Sequence, residues 1–359
     1  MGAISDRQHP RIPAAALAAF CGDLLAATGM PDADARLAAA TLVESDLRGV
    51  ESHGVVRVPI YVERLRRGAT AARPQIAIVR ETRSTAVVDG GNGMGQVVSA
   101  WAMDVAIRKA VEQGEPAFVS VRNSNHFGAA AWFAEMASRR DLVGFAYTIG
   151  GINHMVPWGG KEAMLGNNPF AVAFPLRGAP PMVLDMACSV AARGKIIVAA
   201  KEGMPIPADW AVDRDGVPTT DAARALEGFV SPVGGPKGYA LTLTIGLLST
   251  MLSGASFGSE VTHMYEDFER PQNIGHLFGA LPIAAFEDLD VYYRRMAKAA
   301  GDVRGVERAQ GVDRVFLPGE REVLLAAERR RDGVPVPREV LDELAATARP
   351  LGIALPAAT

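Results

Sequence analysis

The strongest constraint on this chain is a change of texture near Pro74. Before it, residues 13–48 are rich in Ala and Leu at helical spacing, broken by Gly29, Pro31 and Asp32. Asp32 reads as the N-cap of a second helix that runs toward Arg48. A third helix fits Val58 to Arg67, with Gly68 as its stop. After Pro74, short apolar runs alternate with helix-length stretches. Strands are expected over Gln75–Arg80, Thr85–Asp89, Ala117–Val121, Leu142–Thr148, Ala171–Pro175 and Met182–Asp185. Helices are expected over Val97–Gln113, stopped by Gly114, and over Ala129–Arg140. That is an α/β pattern with mixed connections. The stretch from Ser231 is Gly-rich and then helical to Leu252, and Leu289–Ala346 is charged and helix-forming. The expected organisation is a helical segment over 1–75, an α/β domain over 76–260, and a mainly helical segment over 261–359 that packs with the first.

Composition narrows the function classes. The chain has 359 residues and a formal net charge of −3, from 37 basic and 40 acidic side chains. Near-neutrality gives no support to nucleic-acid binding, which needs a basic patch or stripe. With 2 cysteines, Cys21 and Cys188, a reducing compartment is the default. The N-terminal apolar run is short, and Asp6 stands where a secretory leader would be basic. The longest apolar run, Ala240–Leu252, contains Thr and Ser and is too short to span a membrane. A soluble, cytoplasmic, multi-domain protein is expected. The 6 histidines show no i, i+4 pair, and the cysteines lie far apart, so a zinc site is not expected.

Six polar clusters carry possible chemistry. The turn Asp89–Gly95 lies between a strand and a helix, as a dinucleotide fingerprint would. Gly91 and Gly93 demand a glycine at 96, where Gln96 stands, and the next strand lacks the acidic residue that would bind ribose. A turn chosen for backbone freedom is the stronger reading. Arg48–Arg57 holds Ser52, His53 and Arg57. Histidine can exchange a proton near neutral pH, and an arginine fork matches a carboxylate. Four residues apart, His53 and Arg57 share a face if the segment is helical. Such a pair suits a 2-oxo or 2-hydroxy acid, though polar clusters also arise as caps and turns.

Val121–Gly128 places Asn123, Ser124, Asn125 and His126 at a strand end, where α/β proteins bind ligands. The next helix would offer free N–H groups to a phosphate; the competing reading is a cap by Ser124 or Asn125. The remaining clusters are Gly166–Pro169, Asp185–Ser189 leading to Arg193–Lys195, and Gly234–Tyr239 with Lys237 at a helix entry. A Gly-rich loop with Lys there is phosphate-friendly but is not a P-loop.

In this order, the clusters resemble the malate/L-lactate dehydrogenase family of the non-Rossmann type, which also holds sulfolactate and ureidoglycolate dehydrogenases, diketogulonate reductases and Δ1-piperideine-2-carboxylate reductases. The resemblance runs from about Ala33 to Arg321, through Ser52–Leu65, Asn123–Ala137, Gly166–Pro175, Asp185–Ile196, Ile206–Asp221, Gly234–Leu241 and Leu317–Glu322. It implies a β-rich, non-Rossmann NAD(P)-binding domain inserted between helical N- and C-terminal segments, and a homodimer with its active site near the subunit interface. It implies His53 as acid/base with Ser52 beside it, Arg57 on the substrate carboxylate, Tyr61 lining the same pocket, and His126 near cofactor and substrate. Implied cofactor contacts are Phe127, Gly128, Ala129, Ala130, Asp185, Met186, Ala187, Arg193, Gly194, Lys195, Lys237, Gly238 and, in a late loop, Pro318, Gly319, Glu320 and Arg321.

Two departures bear on the substrate. Asn167 stands where the family commonly has a substrate-facing Thr, and Gly150–Met155 departs from the usual Thr-Asn-Ser-Pro-Pro texture. The implied reaction is hydride transfer between NAD(P)H and C2 of a small 2-oxo acid. Reduction of a cyclic imine acid is the near rival, and a non-catalytic binding protein a more distant one. A hydrolase lacks an activated Ser or Cys constellation.

Overall fold

The computed structural model describes residues 9–358. Asp6 and its neighbours, on which the leader reading rests, lie outside them. The chain forms β1 (Arg11–Ile12), α1 (Ala14–Ala26), α2 (Asp32–Leu47), two 3-10 turns (Glu51–His53 and Val55–Arg57) and α3 (Val58–Arg66). There follow β2 (Ala77–Glu81), β3 (Thr85–Asp89), α4 (Gly95–Gln113), β4 (Ala117–Ser124), α5 (Ala131–Ser138), β5 (Leu142–Thr148), β6 (Phe170–Leu176) and β7 (Ala179–Met186). The rest comprises α6 (Arg193–Lys201), β8 (Ala211–Val212), α7 (Ala222–Glu227), β9 (Phe229–Val230), α8 (Pro236–Thr250), β10 (Ile274–Pro282), α9 (Leu289–Arg304), α10 (Glu320–Asp332), β11 (Val334–Pro335) and α11 (Arg338–Ala348).

A seven-stranded sheet in the order β2-β3-β4-β10-β5-β6-β7 is the centre of the molecule. Within it β3 and β4 run parallel, joined by the crossover helix α4; the other neighbours are antiparallel. A doubly wound Rossmann sheet is mostly parallel, so this mixed α/β fold is of another kind. The central strand β10 comes from the stretch read as mainly helical. It is almost wholly buried, so both faces are apolar and no alternation marks it in the sequence. Alternate residues still face opposite ways. His276 and Phe278 pack toward Phe127 and Phe133. Gly275 lies under α8, where a Cβ would stand 2.2 Å from the Ser249 carbonyl oxygen.

The helical segments at the two ends share one core. Leu17, Leu24, Leu42 and Tyr61 from the N-terminal part pack with Val334, Val336 and Leu344 from the C-terminal part. The two-residue ladder between β1 and β11 ties them. A second core lies between the sheet and α4 and α5. Details differ from the sequence reading. Pro31, not Asp32, occupies the N-cap of α2, with no side-chain cap. β4 continues to Ser124, and α5 begins at Ala131. The turn Asp89–Gly95 is packed rather than open. A Cβ on Gly93 would stand 2.6 Å from Pro74, and one on Gly95 2.2 Å from the Asn125 carbonyl oxygen. These glycines let α4 approach the loop after β4; they do not cradle a phosphate.

Candidate active site

The N-terminal core delivers the first group of side chains. Between α2 and α3 the chain makes its two 3-10 turns, hinged at Gly54. His53 and Arg57 therefore do not share one α-helical face. They are linked otherwise: the Arg57 Nε–H donates to the Ser52 carbonyl at 2.7 Å. Ser52 Oγ and His53 Nδ1 stand 2.9 Å apart. Burial, and then the positive charge of Arg57, push the His53 imidazole down to about 4. Burial likewise lowers Arg57. Among the described residues no carboxylate lies within ion-pair distance of Arg57, and its guanidinium carbon stands over the Tyr265 ring, 5.8 Å from the ring centre.

The loop after β4 brings the second group. Asn123 takes a φ of 51°, and Asn125 Nδ2 donates to the Asn92 side-chain oxygen at 3.0 Å and the Gly93 carbonyl at 2.9 Å. The loop is thus stitched to the turn before α4, and His126 projects beside His53, ring centres 5.5 Å apart and nearly parallel. Gln96 donates to the Tyr61 hydroxyl at 3.3 Å. The Tyr61 hydroxyl is hydrogen-bonded in turn to His126 Nδ1 at 2.7 Å. Burial raises Tyr61 to about 12 and holds His126 far below the usual imidazole range, with His53, Arg57 and His276 adding to the effect. Neither Ser124 nor Asn125 caps α5. Its first N–H, on Ala131, is met by the Asp185 carboxylate at 2.9 Å, so that helix end is not open to a phosphate.

A cleft of about 500 Å³ opens beside His53; Arg57, Tyr61 and His126 stand behind that residue and are not part of the cleft's lining. Ser52 and His53 form part of its wall; Gly128, Ala129 and Ala130 form another part, with Asn167, Asp185, Met186 and Ala187 opposite. Pro318 and Gly319 close it, held by the Val183 N–H on the Pro318 carbonyl at 3.1 Å. Asp185 opens onto the cleft, and desolvation pushes its carboxyl up to about 6 against the Ala131 N–H and Arg48. Sequence reasoning misses the α2 wall. Arg48 lines the cleft, paired with Glu44 at 2.7 Å and forked onto Glu135, one arm at 2.9 Å. The i, i+4 spacing of Glu44 and Arg48 is the available signal. Gln96, which the sequence shows only as the absence of a fingerprint glycine, orients Tyr61.

Other expected contacts lie elsewhere. Phe127 belongs to the core, stacked on Phe133 and His276 at 4.8 and 4.9 Å. Arg193 donates to the Leu226 carbonyl at 2.7 Å. Lys195 stands 6.0 Å from the Trp210 ring centre, and Gly194 is exposed. Lys237 is exposed in the first turn of α8, where Gly238 is packed against the Val233 carbonyl. Glu320 turns back on its own loop, accepting the Leu317 N–H at 3.0 Å and pairing with Arg304 and Arg314. Arg321 is exposed and outside the cleft lining.

The cleft fits an extended dinucleotide. Its size lies in the range of cofactor sites. Gly128 takes a φ of +85°, and the nearest atom to the place a Cβ would occupy is 3.7 Å away, so glycine keeps that wall open. Ala192, the residue before the first turn of α6, also lines the cleft, and a helix N-terminus followed by Arg193 and Lys195 favours an anion. No cluster of three His, Cys, Asp or Glu suited to a metal ion occurs among the described residues, and among them no helix is long and apolar enough to cross a membrane.

Comparison with known proteins places the chain in one family. The family model described as malate/L-lactate dehydrogenase matches residues 12–345. L-sulfolactate dehydrogenase of Methanocaldococcus jannaschii is 40% identical over 92% of this chain and 94% of its own. The solved structure of sulfolactate dehydrogenase from that organism superposes with a TM-score of 0.90, at 37% identity, covering 96% of this chain and 98% of that one. Malate dehydrogenase of Pyrococcus abyssi is 37% identical over 97% of each chain. A Δ1-piperideine-2-carboxylate reductase from Pseudomonas syringae has a TM-score of 0.80 at 27% identity, over 94% of this chain and 99% of that one.

Proposed function

The chain belongs to the malate/L-lactate dehydrogenase family, and from that premise we propose that it is an NAD(P)-dependent dehydrogenase of a small 2-hydroxy acid, with His53 as its acid/base and Arg57 as its carboxylate clamp. One observation carries the residue assignment. Arg57 is a half-buried guanidinium, lowered by desolvation and without a carboxylate partner among the described residues, next to a histidine that burial keeps neutral. A buried charge is costly unless paired. A substrate carboxylate supplies that partner, and the fork fixes its plane.

The chain's own groups then act as follows. In the oxidising direction His53 donates its Nδ1–H to Ser52 Oγ, which leaves the Nε2 lone pair to take the proton of the 2-hydroxyl. In the reducing direction the same nitrogen returns a proton to the forming alkoxide. The substrate carboxylate cancels the charge of Arg57, which depresses His53, and so eases protonation of the imidazole when the acid is bound. Bound NAD(P) supplies the hydride acceptor or donor. Gly128–Ala130, Asp185–Ala187, Pro318 and Gly319 are the residues that would hold it, with Arg193–Lys195 at the cleft's edge. Lys237 and Gly238 belong to this proposal only as contacts outside the cleft. His126, fixed by Tyr61 and Gln96, packs against His53 and shields it from water.

We assign a homodimer, with cytoplasmic location. Leu247 and Met251 at the end of α8 are 40% and 55% exposed, an apolar surface suited to a second copy. The cysteines are free and buried, as in a reducing compartment. The imine-acid reading keeps the same fold and clamp; Asn167 in the cleft wall, at the position where the resemblance expects Thr, is the observation that favours testing it.

The experiment is absorbance at 340 nm with NADH and NADPH separately, against pyruvate, oxaloacetate, 2-oxoglutarate, sulfopyruvate, a diketo sugar acid and Δ1-piperideine-2-carboxylate. Consumption with a 2-oxo acid is expected. Consumption with the imine alone would move the chemistry to C=N reduction. No binding of either dinucleotide would sink the proposal.

A further inference from the structure

Two buried polar residues outside the cleft, Asp46 and Arg329, grip the turn that carries His53. Asp46, in the last turn of α2, is 4% exposed. Its Oδ2 accepts the Val55 N–H at 2.8 Å. Val55 follows Gly54, the hinge between the 3-10 turn that ends in His53 and the one that ends in Arg57. The carboxylate lies so close that a Cβ on Gly54 would stand 1.9 Å from Oδ1. Arg329 of α10 is also 4% exposed. It donates to the backbone carbonyl of Asp46 and pairs with Glu51 at 2.7 Å. Glu51 is the first residue of the His53 turn. One side chain therefore fastens the hinge, and the other fastens the turn's first residue to the end of α2.

We propose that Asp46 and Arg329 are positioning residues that hold His53 and Arg57 in one reactive geometry. The inference rests on the reading that these two side chains act on substrate. Asp46 and Arg329 are both buried, at 4% exposure, and their polar atoms are turned to Val55, Glu51 and the Asp46 carbonyl, so they act through the turn and not on substrate. Rotation about Gly54 would swing the acid/base away from the carboxylate clamp, and a misplacement of about 1 Å can cost about a hundredfold in rate. Burial pushes the Asp46 carboxyl up to about 8, which the Val55 N–H and Arg329 relieve only in part; the hold on the hinge is the hydrogen bond to Val55. An apolar residue would fill the space without fastening the hinge.

The test uses the full chain with the dinucleotide and acid it consumes best. Asp46→Ala is expected to lower kcat by about 10- to 100-fold, with the dinucleotide Kd from fluorescence titration unchanged. Asp46→Asn keeps an oxygen for the Val55 N–H and is expected to restore most of the rate. Gly54→Ala should also be slow, and adding Asp46→Ala should not slow it further, because the two changes disturb one hinge. If Asp46→Ala fails to fold, Arg329→Lys carries the test: it keeps the charge but cannot bridge Asp46 and Glu51, so the same kcat loss at unchanged Kd is expected. Full kcat in Asp46→Ala or in Arg329→Lys, or an Asp46→Asn as slow as Asp46→Ala, overturns the proposal. His53→Ala run alongside separates two failures. If it stays active, the site assignment falls and takes this inference with it. If it is inactive while Asp46→Ala is fully active, only the inference falls.

Discussion

The two ends of the proposed site are built by opposite means. Around His53 the polar side chains are fastened: Ser52 on the imidazole, Tyr61 and Gln96 behind His126, Asp46 under the hinge. Around Lys237 and Lys195 the basic groups are exposed, and the apolar residues at the end of α8 face outward. The first region is closed by this chain's own core. The second is open to solvent in the single chain. Geometry that must be tight for proton transfer is placed where packing is dense, and the more tolerant task of holding phosphates is left to the rim.

Predictions test that contrast, beginning with the closed side. His53→Ala should lower kcat by about 100- to 10,000-fold, the span of a general acid or base, measured by steady-state turnover. A loss under about tenfold would remove His53 from that role. Arg57→Lys should raise KM for the acid by about 10- to 100-fold, the worth of a charge-assisted fork that a point charge cannot reproduce; an unchanged KM would break the carboxylate assignment. The pH profile comes next. Burial and Arg57 push His53 down to about 4, and oxidation needs its neutral form. The kcat/KM for the hydroxy acid should therefore stay level down the neutral range and fall only as pH approaches 4. The reductive rate needs the protonated form and should rise as pH falls. A fall in oxidation already near pH 6.5, about the ordinary histidine value, would show that burial does not govern His53.

The open side should respond least in a single chain. Lys237→Ala should weaken dinucleotide binding by no more than a few-fold, as an exposed charge does. A loss of about tenfold or more would show that the rim is rigid in solution. Leu247→Arg sharpens the point: light scattering should report a smaller species, with dinucleotide binding weakened while the His53 environment, read by its NMR titration, is kept.

The same contrast explains what the sequence makes legible. The clusters at Ser52–Arg57 and Asn123–Gly128 stand out because polar residues crowd there beyond the needs of caps or turns. Their geometry does not. A glycine hinge replaces the helical face expected of His53 and Arg57, since the Asp46 carboxylate from the end of α2 occupies the hinge's side. The N-terminus of α5 is expected to offer its N–H groups, and Asp185 arrives from β7 to take the first one. Tertiary partners of that kind leave no local trace. Phe127, adjacent to a functional histidine, proves to be core because it stacks into the Phe133 and His276 rings while its neighbour faces His53. Strand β10 escapes notice because complete burial erases the alternation by which strands are recognised.

That strand also dictates when the molecule can become itself. Strands β2–β4 and β5–β7 emerge early from the ribosome, yet β10 must lie between β4 and β5 before the sheet exists. Until Pro282 has been made, two half-sheets present bare inner edges that can pair wrongly with each other or with a neighbouring chain. Pairings across such long sequence distances are slow to form. A nascent chain of this design is thus most exposed to mispairing of the half-sheets during the synthesis of α6 to α8, before β10 can close the sheet.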